Sequence, residues 1–168
     1  MFNKILAAIA SMALVASPVN ARVDSGTTSL LKLIDQSGIP VTFNGDECTS
    51  GEYLGVYIHN GLRRRMELCP GDTIDALDHT VVRHEVWHAI QHCVNVARGT
   101  HVSTPVETNS AELMADVIDV LGHEYVASIK AMYPQEKWLL ELEAFMIMEI
   151  FTAQELSDMF KQACTFQA

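Results

Sequence analysis

Two histidines and a glutamate lie close together in the middle of the chain, in the segment VVRHEVWHAIQHC. His84 and His88 are four residues apart, so on a helix both imidazoles lie on one face and can reach a single ion. Glu85 is rotated by about 100° from His84, so its carboxylate can lie beside that ion without binding it. The spacing predicts two zinc ligands and a general base that acts on water.

The residues around this pair resemble the signature of the zincin metallopeptidases, which extends beyond the HExxH motif. That signature has an apolar or β-branched residue three before the first histidine and uncharged residues around the pair. The chain complies at Val81, Val82, Val86, Trp87, Ala89 and Ile90. The resemblance implies peptide-bond hydrolysis, with one Zn²⁺ held by His84 and His88 and with Glu85 as the catalytic base.

A zinc site of this kind requires a third protein ligand and an open position for water. A third histidine in the pattern HExxHxxGxxH is excluded, because neither the glycine nor the last histidine is present. In the gluzincin branch, the ligand is a glutamate from a downstream helix, in a pattern such as E-x-x-A-D. Glu112 begins such a match, ELMAD, and Glu141 begins ELEAF, in which Phe145 replaces the aspartate.

The sequence pattern alone favours Glu112 as the third ligand, whereas the expected burial favours Glu141. The pattern of the segment around Glu112 places it on a polar face, opposite an apolar one, as on an ordinary solvated helix. Glu141 and Glu143 lie in WLLELEAFMIMEIF, which is apolar nearly all round. A buried carboxylate needs a partner, and a metal ion is a suitable one. We therefore predict Glu141 as the third ligand, with Glu143 and Glu112 as the alternatives.

Other polar residues are less clearly assigned. Phe145 in place of the aspartate removes the expected support of one histidine, which Glu143 or Asp116 could replace. His92 lies about 12 Å from His84 along a helix axis, so both cannot bind one ion. Four residues are candidates for the hydrogen-bond donor to the oxyanion, and the sequence does not choose among them: Tyr125, Tyr133, His101 and His123.

The N-terminus predicts export. Residues 1–21, MFNKILAAIASMALVASPVNA, have the order of a signal peptide: a lysine, an apolar run of about a dozen residues and small residues before Ala21. That run is too short to span a bilayer. We expect residues 22–168 to form one domain that works in a periplasm or outside the cell as a monomer, without membrane attachment. The net charge of −10 argues against a nucleic-acid partner. The resemblance to zincin metallopeptidases implies a peptide or protein substrate.

Four cysteines are present, at positions 48, 69, 93 and 164, and an exported chain with an even number predicts two disulfides. Three pairings exist. We favour Cys48–Cys69, which would close a small β element, and Cys93–Cys164, which would connect the histidine helix to the C-terminal helix.

The remaining patterns predict an α+β domain, with a β hairpin first and helices after it. Asn60-Gly61 between two strand-like runs, Tyr53 to His59 and Leu62 to Cys69, is a strong hairpin signal. A short helix is expected over 28–36 and a short strand over 41–44. Longer helices are expected from 72 or 73 to about 97, from 105 to about 132 as one helix or a pair, over 135–151 and over 153–163.

The order HExxHxxQxC, then a tyrosine and a tryptophan, then E-x-E-A-F and a terminal A-C resembles small secreted metallopeptidase-like proteins of marine cyanobacteria and their phages. The likeness covers about residues 40–165 and implies a minimal zincin-like fold. Two other hypotheses stay open: a zinc-stabilised binding or inhibitor-like domain without turnover, and a disulfide-stabilised helical domain without metal.

Overall fold

The computed structural model describes residues 26–51, 53–60, 63–70 and 79–164. Over these ranges the chain forms six α-helices and one three-stranded sheet, so the predicted α+β class is confirmed. The predicted signal peptide and the predicted helix cap at Asp72 or Thr73 lie outside these ranges. Within the described part, no helix is long and apolar enough to cross a membrane.

The sheet contains the predicted hairpin. Strand β2 (Gly55–Asn60) pairs antiparallel with β3 (Arg63–Leu68), and Gly55 lies opposite Leu68. Strand β1 (Val41–Phe43) adds to the other side of β3 in parallel. The order β1-β3-β2 makes β3 the central strand and β2 an edge strand.

The helices follow the sequence patterns closely. They are α1 (Gly26–Gln36), α2 (His79–Ala97), α3 (Ser110–Leu121), α4 (His123–Met132), α5 (Trp138–Ile150) and α6 (Ala153–Cys164). Between Pro105 and Met132 we expected one helix or a pair, and the structure has a pair. The segment from Gln135 begins as a 3-10 turn, Gln135–Lys137, and becomes α-helical only at Trp138.

Local chemistry explains where helices begin and end. The Asn109 side chain accepts hydrogen bonds from the backbone N–H groups of Ala111 and Glu112, which caps α3 five residues after Pro105. Gly122, at φ +77°, separates α3 from α4. Thr152 and Glu155 form a reciprocal capping box at the start of α6.

Helix α2 lies at the centre of the molecule and contacts α5, α6 and β2. Its buried apolar side chains join those of the sheet and of the C-terminal helices in one core. Both favoured disulfides are confirmed: Cys48–Cys69 closes the β region, and Cys93–Cys164 connects α2 to α6. The zincin-like arrangement within this class stays a prediction.

Candidate metal centre

Three side chains from α2 and α5 converge on one point. The Nε2 atoms of His84 and His88 lie 3.0 Å apart. Glu141 Oε2 lies 3.3 Å from His84 Nε2 and 3.4 Å from His88 Nε2. The helical spacing of the histidines places both rings on the same face of α2, and the packing of α5 against that face brings in the glutamate.

The three donors fit a transition-metal ion. Two imidazole nitrogens and one carboxylate oxygen are a donor set that zinc accepts in catalytic sites. A tetrahedral ion with bonds of about 2.0–2.1 Å holds its ligand atoms about 3.3 Å apart, close to the three separations found here. His84, His88 and Glu141 could therefore hold a metal ion together.

Charge favours the same arrangement. Burial raises the pKa of Glu141, but hydrogen bonds from His84 and His88 outweigh it and lower that pKa to about 2. Burial lowers the pKa of His88, but the Glu141 and Glu85 carboxylates outweigh it and raise that pKa to about 9. Without a metal, ionised Glu141 and protonated His88 therefore form an ion pair. The positive charge that a metal ion would bring to this site is then carried by the His88 ring.

Glu85 lies beside this cluster without joining it. It is 5% exposed, and its carboxylate accepts a hydrogen bond from the Tyr57 backbone N–H at the edge of β2. Burial raises the pKa of Glu85, opposed by the nearby His84 and His88. A carboxylate whose pKa is raised by burial is a stronger base than an exposed glutamate.

A glycine allows Glu85 and β2 to approach so closely. A Cβ atom added at Gly55 would lie 2.7 Å from Val81 Cγ1 and 3.0 Å from Glu85 Cγ. Neither contact is tolerated without movement. The contact between α2 and β2 therefore depends on the absence of a side chain at this position.

Aromatic packing replaces a hydrogen bond on His84. Its Nδ1 atom is buried without a hydrogen-bond partner, and the Phe145 ring packs edge-on against the imidazole with centroids 4.6 Å apart. Phe145 occupies the position where the sequence pattern led us to look for an aspartate. The Phe145 ring thus packs against His84, and in the described part of the chain no carboxylate bonds to the Nδ1 atom of that histidine.

His88 has polar support instead. Its Nδ1 atom lies 2.7 Å from Gln91 Oε1, and the Gln91 amide nitrogen reaches Leu140 O and Glu143 Oε2. We suggested that Glu143 or Asp116 supports a histidine. Glu143 does so only indirectly, because it bonds to Gln91, which in turn contacts His88. Sequence reasoning missed Gln91, although its position three residues after His88 placed it on the same face of α2.

The two alternative ligands lie away from the cluster. Glu143 is buried, but its carboxylate accepts four hydrogen bonds from N–H groups elsewhere, of Trp87, Gln91, Val106 and Glu107. Burial raises the pKa of Glu143, and these donors oppose that shift. Glu112 is exposed in the first turn of α3. Of the three candidate glutamates, the structure places only Glu141 beside both histidines.

His92 belongs to a separate polar cluster. It is 1% exposed, its Nδ1 atom lies 2.7 Å from the Tyr57 hydroxyl, and its ring stacks on His59 at 4.1 Å. Burial, with the charges of His59 and Arg64, lowers the pKa of His92 to about 4. His92 is therefore a neutral, buried residue one turn beyond the site. It lies apart from the metal ligands, as its distance from His84 predicts, but it is not at the surface.

Among the four candidate donors, Tyr133 lies in the electrostatic field of the site. Burial raises its pKa, and the nearby Glu141 and Glu85 carboxylates raise it further. Burial raises the pKa of Tyr125, and Glu149 rather than the carboxylates of the site raises it further. His101 lies near the His59 and His92 rings. His123 is exposed at the start of α4.

Comparison of the chain with protein-family models, with curated proteins and with solved structures finds no match. The zincin resemblance therefore stays a prediction from the sequence.

Proposed function

We propose that this protein is an exported zinc-dependent metallopeptidase. The observation that carries the proposal is the convergence of His84, His88 and Glu141 beside a buried Glu85. Zinc in such a site supplies Lewis acidity toward a peptide carbonyl and lowers the pKa of water. The two disulfides support export, because such bonds persist in oxidising compartments.

Glu85 is the general base in this proposal. Its carboxylate accepts a proton from the attacking water and then delivers it to the nitrogen of the departing amine. The Tyr57 N–H holds that carboxylate in place. Tyr133 keeps its phenolic proton, since its pKa is raised, and is the donor that we assign to the oxyanion of the tetrahedral intermediate.

The edge strand β2 is the surface that we assign to the substrate. Because alternate residues of β2 turn their backbone groups away from β3, this strand can pair with an extended peptide. The Tyr57 N–H already points to Glu85, which brings that edge next to the catalytic base. Strand β3 is paired on both sides and so offers no free edge to a peptide.

Metal content tests the site. We expect one equivalent of zinc in the purified mature protein, lost in Glu141→Gln and retained in the matched control Glu112→Gln, whose side chain is exposed. The measurement is elemental analysis after dialysis against a weak chelator. Zinc that survives in Glu141→Gln would remove Glu141 from the ligand set, and a metal-free wild type would leave only the disulfide-stabilised helical domain.

Hydrolysis separates the enzyme from the zinc-stabilised domain without turnover. Glu85→Gln keeps the size of the side chain but removes the base, so zinc content should stay and cleavage of unstructured peptides should fall by at least about 10²-fold. Equal cleavage by wild type and Glu85→Gln would exclude Glu85 as the base. No cleavage by zinc-loaded wild type over a broad peptide library would favour the non-catalytic domain.

A further inference from the structure

A cavity of about 120 Å³ lies between α2, α3, α5 and α6. Its buried walls are apolar: α2 contributes Ile90 and Val94, α3 contributes Leu113, and α5 contributes Met146 and Ile147. Five and six residues after the metal ligand of α5, a helix has turned by about 140° and 240°. The α5 side chains of the cavity therefore face away from the metal centre, and the cavity is separate from it.

The polar side chains that border the inner part of this cavity are already paired. Trp87 Nε1 donates its only hydrogen bond to Glu143 Oε2 at 3.0 Å. That carboxylate also accepts hydrogen bonds from the N–H groups of Gln91, Val106 and Glu107. A carboxylate accepts about four hydrogen bonds, so neither side chain has a donor or acceptor left for a molecule in the cavity.

The cavity therefore gives water few hydrogen-bonding partners. In the part of the chain that the structure describes, the buried side-chain atoms without a hydrogen-bond partner belong to residues that do not line the cavity. A buried water needs two to four polar partners, whereas apolar cavities on the order of 150 Å³ stay dry and hold one benzene molecule or one xenon atom. Volume and lining together thus fit a single apolar ring.

The entrance of the cavity disfavours anions. Asp116 is exposed there and Glu107 is half-buried, whereas Arg98 brings a positive charge. The Arg98 guanidinium already donates hydrogen bonds to the backbone oxygens of Pro105 and Val106. A carboxylate on a ligand would therefore meet two carboxylates of the protein and a guanidinium that is already engaged, so we expect an uncharged ligand.

We propose that this cavity is a binding site for an uncharged apolar molecule of about the size of one aromatic ring. Binding removes the apolar surface of the ligand from water, and it gives the lining side chains dispersion contacts that an empty cavity lacks. The lining includes neither the proposed metal ligands nor Glu85, so this inference does not depend on the proposed function.

Benzene titrated into the purified full-length protein in EDTA tests the site. The observable is the ¹H–¹³C spectrum of the methyl groups. We expect the signals of Met146, Ile147 and Met159 to shift together, with a Kd of about 1 mM or below. The signals of Leu30 and Ile34, which belong to the core but do not line the cavity, should stay. Unshifted cavity methyls up to the solubility limit of benzene would overturn the proposal.

Benzoate tests the expected charge of the ligand, because it has the same ring with a carboxylate attached. We expect benzoate to bind at least about 10-fold more weakly than benzene, since its charge would lack a donor inside the cavity and meet acidic residues at the entrance. Equal or tighter binding of benzoate would overturn the assignment to an uncharged ligand.

Two variants that fill the cavity test its position. Ala163→Leu on α6 and Leu113→Phe on α3 each add carbon atoms to a buried wall. We expect each to weaken benzene binding by at least about 10-fold, because the added atoms occupy the space of the ring. The control is Met148→Leu, a buried position next to Ile147 that does not line the cavity, and it should keep the wild-type affinity. Wild-type affinity in the filled variants would place benzene elsewhere and overturn the proposal.

Discussion

His88 and Glu141 carry opposite charges in the metal-free protein, and this makes its stability depend on pH from both sides. The pKa of His88 is raised to about 9, so its contribution to stability is complete below about 6.5 and is lost as pH rises through about 9. The pKa of Glu141 is lowered to about 2, so its contribution is present above about 4.5 and is lost as pH falls toward about 2.

We therefore expect the melting temperature of the EDTA-treated protein to be higher at pH 6 than at pH 9, by a few degrees. Glu141→Gln should reduce this difference in melting temperature, because it removes the negative charge that raises the pKa of His88. Calorimetry at the two pH values, with Glu112→Gln as the control, checks the prediction. A pH dependence in Glu141→Gln equal to that of wild type would contradict it.

A second prediction at this scale concerns the Tyr133 hydroxyl. Tyr133→Phe should lower kcat by about 10–10³-fold and leave KM and zinc content nearly unchanged, because the donor acts on charge that develops in the transition state. Tyr125→Phe is the control, since the Tyr125 ring also packs near Phe145 but its phenol lies in the field of Glu149. Equal kinetics for Tyr133→Phe and wild type would remove Tyr133 from the mechanism.

At the scale of elements, the contact of α2 with β2 determines where the base lies. Gly55→Ala would place a methyl group against Val81 and Glu85, at distances that no relaxed structure keeps. We expect a loss of about 1–3 kcal/mol in stability and a larger fractional loss of activity than of zinc, because Glu85 moves while His84 and His88 stay.

Denaturant unfolding, peptide cleavage and zinc content measured on one preparation check this expectation. Val56→Ala is the control: it alters the next position of the same strand and leaves the contact at Gly55 intact. Full activity in a stably folded Gly55→Ala variant would show that Glu85 does not depend on this approach.

At the scale of the whole molecule, the two disulfides differ in what they constrain. Cys93–Cys164 joins residues 71 apart and connects the metal-site helix to the C-terminal helix, whereas Cys48–Cys69 joins residues 21 apart within the β region. Loop-closure entropy gives about 4 kcal/mol for the longer loop and about 3 kcal/mol for the shorter one.

Replacing both cysteines of a pair by alanine tests this difference. The Cys93→Ala/Cys164→Ala variant should be less stable than the Cys48→Ala/Cys69→Ala variant, and it should also bind zinc more weakly, because α2 carries two of the three ligands. Denaturant unfolding and zinc titration measure both effects. The reverse order of stabilities would contradict the loop-length argument.

Much of the architecture followed from local patterns. The Asn60-Gly61 signal predicted the hairpin, the apolar periodicity predicted the helices to within a few residues, and Gly99 and Gly122 mark where helices stop. The late start of α3 was missed, because the side chain of Asn109 caps the helix more strongly than Pro105 begins it. The parallel pairing of β1 with β3 was missed too, since short-range signals do not encode which strands become neighbours.

The sequence by itself determined the chemistry available to this protein: two histidines one helical turn apart, a glutamate between them and cysteines that could pair. Only the tertiary structure decided which acid meets the histidines. Glu141 and Glu143 are two residues apart and equally buried in the sequence pattern, but a helix turns by about 200° over two residues. One carboxylate therefore faces the imidazoles, and the other turns to the N–H groups of Trp87, Gln91, Val106 and Glu107.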